Sequence, residues 1–147
     1  QKDRVKKYWE VIIGKWSKPW NRELEQELTP SEKRAIKPLS WAEQPQTIDE
    51  VGSTFTIQGF DLNYVGVILG PSVKYRDGKV IFDPSKKTYS KMTRNRTLSD
   101  GSKKKFGEEL TKHEVRVLMT RGVEGLYIYA CDKELREALL TAQEGEG

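Results

Sequence analysis

Short runs of apolar residues alternate with polar, turn-forming stretches along the first third of the chain. A β-branched and aromatic run at 8–14 predicts a short strand, whereas 16–21 contains a proline and is expected to be irregular. The sequence Thr29-Pro30-Ser31-Glu32 has a capping residue followed by a proline at the first helical position, which predicts a helix over about 30–36. A tryptophan-bearing stretch at 39–46 is expected to form a loop or a short helical turn.

The middle of the chain carries two predicted strands and a predicted hairpin. Residues 51–57 have the composition of a strand, and 64–70 are nearly all apolar, as in a central strand covered on both faces in a parallel α/β sheet. Two short apolar runs flank Asp77-Gly78, a dipeptide typical of tight turns, so 73–83 is expected to form a β-hairpin.

A polar and basic stretch separates these strands from the last three predicted elements. Residues 85–105 predict a long loop, 106–120 a helix, 125–131 an apolar strand, and 133–142 a final helix capped by Asp132. Strands that alternate with helices indicate an α/β sheet domain, into which the long loop is inserted.

The positive charge of the chain is concentrated around that inserted loop. The formal net charge is +4, yet residues 71–106 contain eleven Lys or Arg and three Asp, which gives +8 and leaves −4 for the rest. Such a patch attracts polyanions such as nucleic acid, although a solvated loop would show the same pattern. Few aromatic residues are interleaved, which favours contacts with the phosphate backbone over base readout. The basic residues in question are Lys86, Lys87, Arg94, Arg96, Lys103, Lys104 and Lys105.

Several classes of site are disfavoured by what the chain lacks. Cys131 is the only cysteine and His113 the only histidine, so neither a multi-cysteine zinc site nor another metal site is expected, and a Cys–His nucleophile is disfavoured. Without an apolar run of about 18 residues, no membrane partner is expected, and the cytoplasm is the expected location. Trp16, Trp20 and Trp41 can stack on bases, but core packing is the commoner role of such residues.

Residues 53–68 form the first segment with recognisable chemistry. A predicted strand ends in Thr-x-Gln-Gly, and an acidic residue follows before the next strand. Ligands of open α/β sheets bind beyond the carboxyl ends of strands, where Thr54 and Thr56 offer hydroxyls to phosphates and Asp61 can accept a hydrogen bond from a ribose. Gly59 allows the backbone to approach a ligand closely. A plain strand–turn–strand connection is the alternative.

Residues 114–129 form the second segment, in which a predicted helix ends at Thr120-Arg121-Gly122 shortly before a predicted strand. An arginine at this junction can reach across a cleft to a phosphate with a forked, permanently charged group. The alternative is an ordinary arginine at a helix C-terminus, which complements the helix dipole, with Gly122 as the cap.

Taken together, the order and content of these two segments resemble motifs V and VI of superfamily-1 helicases. The fuller pattern, made of 56–70, Val80-Ile81-Phe82-Asp83-Pro84 and 120–132, resembles the Schlafen-group-3-like DNA/RNA helicase domain of bacteria. The resemblance extends over roughly 41–140. It implies an incomplete RecA-like (P-loop NTPase-like) fold, in which helices flank a mostly parallel sheet and a basic hairpin and loop are inserted at about 71–105.

The resemblance also assigns roles to individual residues. Arg121 matches the motif VI arginine that contacts the γ-phosphate as an arginine finger, with Thr120 and Gly122 beside it in the nucleotide site. Gln58 and Gly59 match the motif V turn that senses nucleotide and nucleic acid.

The remaining roles concern residues on either side of that turn. Asp61 matches the acidic position that binds the nucleotide sugar, and Thr54 and Thr56 lie where motif V contacts the nucleic-acid backbone. Many relatives carry a histidine where this chain has Phe55, so a hydrogen-bonding contact is not expected there, and Phe55 is expected to be a core residue.

The phosphate-binding half of such a motor is not visible in the sequence. No Gly-x-x-x-x-Gly-Lys-(Ser/Thr) motif occurs, and the family places it, with the Mg²⁺ site, in an N-terminal RecA-like domain. The chain opens without a methionine, which predicts a piece of a longer protein. The expected organisation is an N-terminal strand and linker region at 1–40, the core of a second RecA-like domain at 41–142, and a disordered tail at 143–147.

Three functional hypotheses follow. The first is the C-terminal motor domain of a nucleic-acid-dependent ATPase or helicase, which would bind no cofactor alone and would share ATP and Mg²⁺ with the N-terminal domain of the same chain while acting on DNA or RNA. The second is a non-catalytic nucleic-acid-binding module. The third is a small α/β protein with no role on nucleic acid.

Overall fold

The computed structural model describes residues 9–57, 59–86, 96–97, 103–104 and 107–145. Within these residues the chain is mixed α/β, with small two-stranded sheets, one of them parallel, and three α-helices. The predicted α/β class is therefore confirmed. The contacts divide the chain into two compact units, Gln1–Phe60 and Asp61–Gly147. No helix of the described residues combines the length and the apolar character that crossing a membrane requires.

The first unit opens with an antiparallel hairpin made of β1 (Glu10–Ile13) and β2 (Trp16–Pro19). The predicted strand is confirmed, but the prediction that 16–21 is irregular is wrong for β2. Gly14 has a φ of +59°, a conformation that glycine adopts without strain and that reverses the chain. Pro19 is tolerated because it pairs with Glu10 at the open end of the hairpin, where a missing donor does little harm.

Helix α1 (Pro30–Ile36) begins and ends where the sequence predicts. The Thr29 hydroxyl accepts a hydrogen bond from the Glu32 N–H at 3.3 Å, and the Glu32 carboxylate accepts one from the Thr29 N–H at 2.8 Å. This reciprocal capping box satisfies two donors that a helix start otherwise leaves unpaired. The Thr29 hydroxyl also donates to the Glu32 carboxylate at 2.7 Å, and this bond, with the one from the Thr29 N–H, lowers the pKa of Glu32. Short 3₁₀ turns surround the helix at Leu24–Glu27, Trp41–Glu43 and Pro45–Asp49.

The strand predicted at 51–57 is not formed. Val51 makes only an isolated bridge with Trp20, and the chain then turns, with the Thr56 and Ile57 N–H groups both donating to the Ser53 carbonyl at 3.0 and 3.3 Å. The Thr56 hydroxyl reinforces the turn, because it accepts from the Ser53 N–H and donates to the Ser53 carbonyl, each at 2.8 Å. Local side-chain bonds of this kind compete with a strand ladder.

That turn also reverses the expected burial of its two large apolar side chains. Ile57 is 5% exposed and belongs to the core, whereas Phe55 is 62% exposed. The prediction that Phe55 is a core residue is therefore wrong, because a turn does not place Phe55 and Ile57 on one face as a strand would.

The second unit is built on a parallel pair of strands, β3 (Leu62–Leu69) and β8 (Gly122–Ala130). Helix α2 (Gly107–Met119) leads into β8, and α3 (Lys133–Gly145) follows it. The apolar run of β3 and the two helices confirm the predicted elements. The last helix continues three residues past its predicted end at Ala142, since the added Gln-Glu-Gly residues include two that favour helix.

The core of the second unit lies on one face of this strand pair. Its buried residues are Val67, Leu69, Val73, Ala130 and Leu135. Val115 and Leu118 of α2 and Leu139 of α3 pack against them, so both helices cover the same face. Burial of this apolar surface is the main source of stability for the unit.

The opposite face of the strand pair carries exposed tyrosines. Tyr64 is 61% exposed and Tyr127 is 69% exposed. The prediction that this strand is covered on both faces is therefore wrong for the part of the chain that the structure describes. The outward position Ile68 is as apolar as the inward Val67 and Leu69, so hydropathy alone does not distinguish the two faces.

An antiparallel hairpin of β4 (Val73–Arg76) and β5 (Lys79–Phe82) follows β3. Asp77 and Gly78 have φ values of +52° and +75°, as the predicted tight turn requires, so the predicted hairpin is confirmed. Within the predicted long loop, a short 3₁₀ turn spans Pro84–Lys86, and β6 (Arg96–Thr97) pairs antiparallel with β7 (Lys103–Lys104).

Candidate functional site

The two segments singled out by the sequence meet at one end of the parallel strand pair. Asp61 directly precedes β3 and Arg121 directly precedes β8, and the Leu62 N–H donates to the Arg121 carbonyl at 2.8 Å. Because the strands are parallel and in register at this end, the residues before them are neighbours in space. The fold therefore brings the predicted nucleotide-sugar residue and the predicted arginine finger together.

The Arg121 side chain is held on two sides. One guanidinium nitrogen, Nη1, lies 3.7 Å from Asp61 Oδ1, and Nε donates to the Val117 carbonyl at 3.2 Å. The side chain is 24% exposed and that of Asp61 is 68% exposed. A pair this long and this open to water is weak, so an anion with better geometry, such as a phosphate, can compete with Asp61 for the guanidinium.

Thr120 and Gly122 shape the junction in different ways. The Thr120 hydroxyl bonds back to the carbonyls of Arg116 and Val117, at 3.0 and 3.2 Å, and so helps to end α2. A Cβ on Gly122 would lie 2.4 Å from the Gly125 carbonyl oxygen, which no real structure tolerates. Gly122 is thus required by close packing inside β8. It does not have the positive φ of a left-handed helix cap, the role that Gly122 has if Arg121 is an ordinary arginine at a helix C-terminus.

The junction lies at the amino-terminal ends of β3 and β8. The sequence instead predicts a ligand site beyond the carboxyl end of a strand at 51–57. In the structure a turn replaces that strand. The prediction that Asp61 lies beyond the carboxyl end of a strand is therefore wrong, whereas Arg121 lies between a helix and a strand, as predicted.

The other predicted nucleotide and backbone contacts belong to the first unit. Gly59 is exposed and has a φ of +91°, a conformation that strains other residues, while Gln58 lies outside the described residues. Thr54 is half-buried in the turn, and the Thr56 hydroxyl is engaged with Ser53.

The predicted basic patch is described only in part. Lys86 ends a 3₁₀ turn, and the backbones of Arg96, Lys103 and Lys104 form the paired strands β6 and β7. The predicted contact residues Lys87, Arg94 and Lys105 lie outside the described residues.

A family comparison now identifies the chain. The model of the family described as "Schlafen group 3, DNA/RNA helicase domain" matches residues 1–132. The chain belongs to this family. The match includes both Asp61 and Arg121, and it ends at Asp132, directly before α3.

A curated relative gives the scale of the protein in which such a domain occurs. The chain is 41% identical over 124 residues to "Uncharacterized protein YPL245W" of Saccharomyces cerevisiae, which covers 82% of this chain and 25% of that protein. The chain thus spans about a quarter of the length of the relative. No solved structure matches the chain.

Asp132, at the carboxyl end of the strand pair of this Schlafen group 3 domain, is the centre of a hydrogen-bonded cluster with a structural role. Asp132 accepts from Arg76 Nη1 and Nη2 at 3.0 and 2.9 Å, from the Tyr75 N–H at 3.2 Å and from the Leu135 N–H at 3.0 Å. The hydrogen bonds from Arg76 hold the pKa of Asp132 well below its usual range. Sequence reasoning found the helix cap but missed Arg76, since the two are joined only by the fold.

Neighbouring groups give no sign of nucleophilic or metal chemistry. Burial raises the pKa of the Cys131 thiol and so disfavours the thiolate, and the charge of Arg136 opposes this with a smaller effect. Arg136 itself donates to the carbonyls of Ala130 and Cys131. Within the described ranges, no three His, Cys, Asp or Glu side chains are grouped as a metal site would require.

Proposed function

We propose that this chain is the C-terminal motor part of a nucleic-acid-dependent ATPase of the helicase type. ATP and Mg²⁺ would lie between it and a P-loop domain elsewhere in the same protein, with DNA or RNA as the partner. Membership of a helicase-domain family supports the proposal, as does the relative that is about four times longer than the matched region. Residues 41–142 would then be the core of the second RecA-like domain.

The proximity of Asp61 and Arg121 is the observation that carries this proposal. Two segments far apart in sequence, each resembling a helicase motif, place a forked cation and a carboxylate 3.7 Å apart at one edge of the second unit. On closure of the motor, Arg121 would leave Asp61 for the γ-phosphate and offset the charge that develops during phosphoryl transfer. Asp61 would then be available to the nucleotide sugar.

The strand pair itself supports a larger RecA-like sheet. Parallel sheets are normally covered on both faces, yet Tyr64 and Tyr127 are mostly exposed on one face of this pair. Within the described residues, β3 pairs only with β8, so each strand has an open edge. Further strands and helices of the longer protein would cover that face and extend the pair.

ATP turnover measured on the chain alone and on the longer protein that contains it tests the proposal. The chain alone is expected to show none, and Arg121→Ala in the longer protein is expected to lower kcat by about 10³-fold or more. Arg116→Ala is the matched control, since Arg116 is an exposed arginine in the last turn of the same helix. Appreciable turnover by the chain alone, or full activity of Arg121→Ala, contradicts the proposal.

One observation favours a second function, a non-catalytic nucleic-acid-binding module. The bond from Arg121 Nε to the Val117 carbonyl is what an arginine that only completes the end of a helix would make. The kinetic comparison separates the two functions, because a binding module retains its affinity for nucleic acid in Arg121→Ala and has no ATPase activity to lose.

A further inference from the structure

An open cleft of about 710 Å³ is lined only by residues of the first unit. Its walls come from four segments, at 21–25, 33–37, 39–44 and 55–56. The lining residues that matter are Arg22, Lys33, Lys37, Trp41, Phe55 and Thr56. Basic, aromatic and hydroxyl groups are thus gathered on one concave surface, and none of the basic ones belongs to the basic patch at 86–105.

Phe55 is the most informative of these side chains. The turn that carries it buries Ile57 to 5% exposure but leaves Phe55 62% exposed at the cleft. Keeping a phenyl ring in water forgoes the stabilisation that burying it would give. An exposed aromatic ring in a basic cleft offers a flat surface on which a nucleobase can stack.

Positive charge lies on the α1 side of the cleft. Lys33 and Lys37 are four residues apart, so they share a helix face with about 6 Å between them along the axis. Neither forms an ion pair with a carboxylate in the described part of the chain. Arg22 is partly neutralised by Glu25, with which it pairs. Two lysines that lie about 6 Å apart suit the successive phosphates of a strand better than the clustered phosphates of one nucleotide.

One part of the cleft wall, at residues 21 and 22, has an unusual backbone conformation. Asn21 and Arg22 have φ values of +50° and +72°, a region that asparagine tolerates but arginine rarely adopts. The Asn21 N–H donates to the Val51 carbonyl at 2.8 Å, and the buried Glu50 carboxylate accepts from the Arg22 N–H at 3.3 Å. These bonds hold Arg22 in that conformation and so fix this part of the cleft wall.

We propose that this cleft binds single-stranded nucleic acid, with a base stacked on Phe55 and the phosphates of adjacent nucleotides on Lys33 and Lys37. The inference rests on the proposed function, because it names the surface of this domain on which the strand of that motor would lie. Thr56 also lines the cleft, but its hydroxyl is engaged with Ser53 and takes no part in the proposed contacts.

Binding of fluorescein-labelled oligothymidine and oligouridine of about 12 nucleotides to the whole chain, followed by anisotropy, tests the stacking contact. Phe55→Ala is expected to weaken binding about tenfold without changing its salt dependence, and Phe55→Trp to restore it. Ile48→Ala is the control, because Ile48 is 86% exposed in the same unit but does not line the cleft. The DNA and RNA arms show which sugar the cleft accepts.

The phosphate contacts have a different signature. Lys33→Gln with Lys37→Gln is expected to reduce the slope of log Kd against log salt by about 1.4, since each phosphate neutralised on a single strand contributes about 0.7. Lys15→Gln with Arg34→Gln removes the same charge from exposed positions of the same unit, Arg34 on the same helix, and is expected to leave the slope unchanged.

A second readout locates the bound strand. All four tryptophans lie between Trp9 and Trp41, in the first unit, so strand binding in the cleft is expected to quench their fluorescence. Binding without quenching, an unchanged affinity in Phe55→Ala, or displacement of the strand by ATP would each overturn the inference. These measurements need no ATP turnover and are expected to be the same in Arg121→Ala, so the cleft and the proposed ATPase can fail separately.

Discussion

Asp61 Oδ1 lies 3.7 Å from Arg121 Nη1, and the residue after Asp61 donates its N–H to the Arg121 carbonyl at 2.8 Å. The backbone bond fixes the two positions as neighbours, while the side-chain pair is long and open to water. The backbone therefore sets the geometry of the junction, and the side-chain pair with Asp61 contributes little to it. This division suits the proposed movement of Arg121 to a phosphate.

Asp61→Asn is expected to leave stability nearly unchanged. Exposed ion pairs contribute about 0–1 kcal/mol, and Asp61 is 68% exposed, so the free energy of unfolding should fall by less than about 1 kcal/mol. Urea unfolding followed by far-UV circular dichroism measures it. A loss of several kcal/mol would show instead that the pair is a structural clasp, which would argue against a mobile Arg121.

Glu50→Ala is expected to destabilise the first unit by about 3 kcal/mol. The buried Glu50 carboxylate accepts from the Leu24 N–H at 2.6 Å, from the Trp41 indole N–H at 3.2 Å and from the Arg22 N–H, and the substitution leaves all three donors without that partner. Tryptophan fluorescence during urea unfolding reports on this unit, since the second unit has no tryptophan.

The neighbouring Asp49→Ala is the control for Glu50→Ala. Asp49 also forms an ion pair, with Lys18, but its side chain is 64% exposed, so its removal should cost less than about 1 kcal/mol. An equal loss of unfolding free energy in the two variants would mean that the burial and the three hydrogen bonds of Glu50 do not stabilise the first unit.

The sequence predicts an element correctly where the interactions that form it join residues close together in the sequence. Helix α1 and the β4–β5 hairpin are set by neighbours in sequence, Thr29 with Glu32 and Asp77 with Gly78, and both predictions are confirmed. The strand expected at 51–57 failed because the Thr56 hydroxyl closes a turn that hydropathy does not register.

The candidate sites follow the same rule. The sequence supplied Asp61 and Arg121 as separate residues, but only the parallel pairing of β3 with β8 makes them neighbours. The cleft of the first unit was not predicted at all, since its walls come from four segments and its exposed Phe55 has the composition of a core residue.

Asp83 is expected to make the second unit sensitive to acid. The Lys74 ammonium at 2.9 Å and bonds from Ser85 lower the pKa of Asp83 to about 2, against an ordinary value of about 4. A lowered folded-state pKa stabilises the protein above the unfolded pKa, and that contribution is lost as the pH falls from about 4 to about 2. The stability difference between the native chain and Asp83→Asn should shrink over this window.

Circular dichroism during urea unfolding at several pH values between neutral and pH 2 measures this difference. Asp77→Asn is the control in the same hairpin, because Asp77 forms no ion pair in the described part of the chain and asparagine tolerates its positive φ. A difference between the native chain and Asp83→Asn that stays constant with pH would contradict the assigned ion pair.

Gly122→Ala is expected to destabilise the second unit by about 1–3 kcal/mol and to displace Arg121. The new Cβ would lie 2.4 Å from the Gly125 carbonyl oxygen and 2.9 Å from Val65 Cγ1, and backbone cannot yield as a flexible side chain can. Gly66→Ala on the paired strand is the matched control, since a Cβ there meets nothing within 4 Å. Removing a glycine from a strand interior should leave that variant as stable as the native chain or slightly more stable. Urea unfolding followed by circular dichroism compares the stability of the two variants. Equal stability would show that the junction before β8 is loosely packed, and Arg121 would then not be positioned by close packing at Gly122.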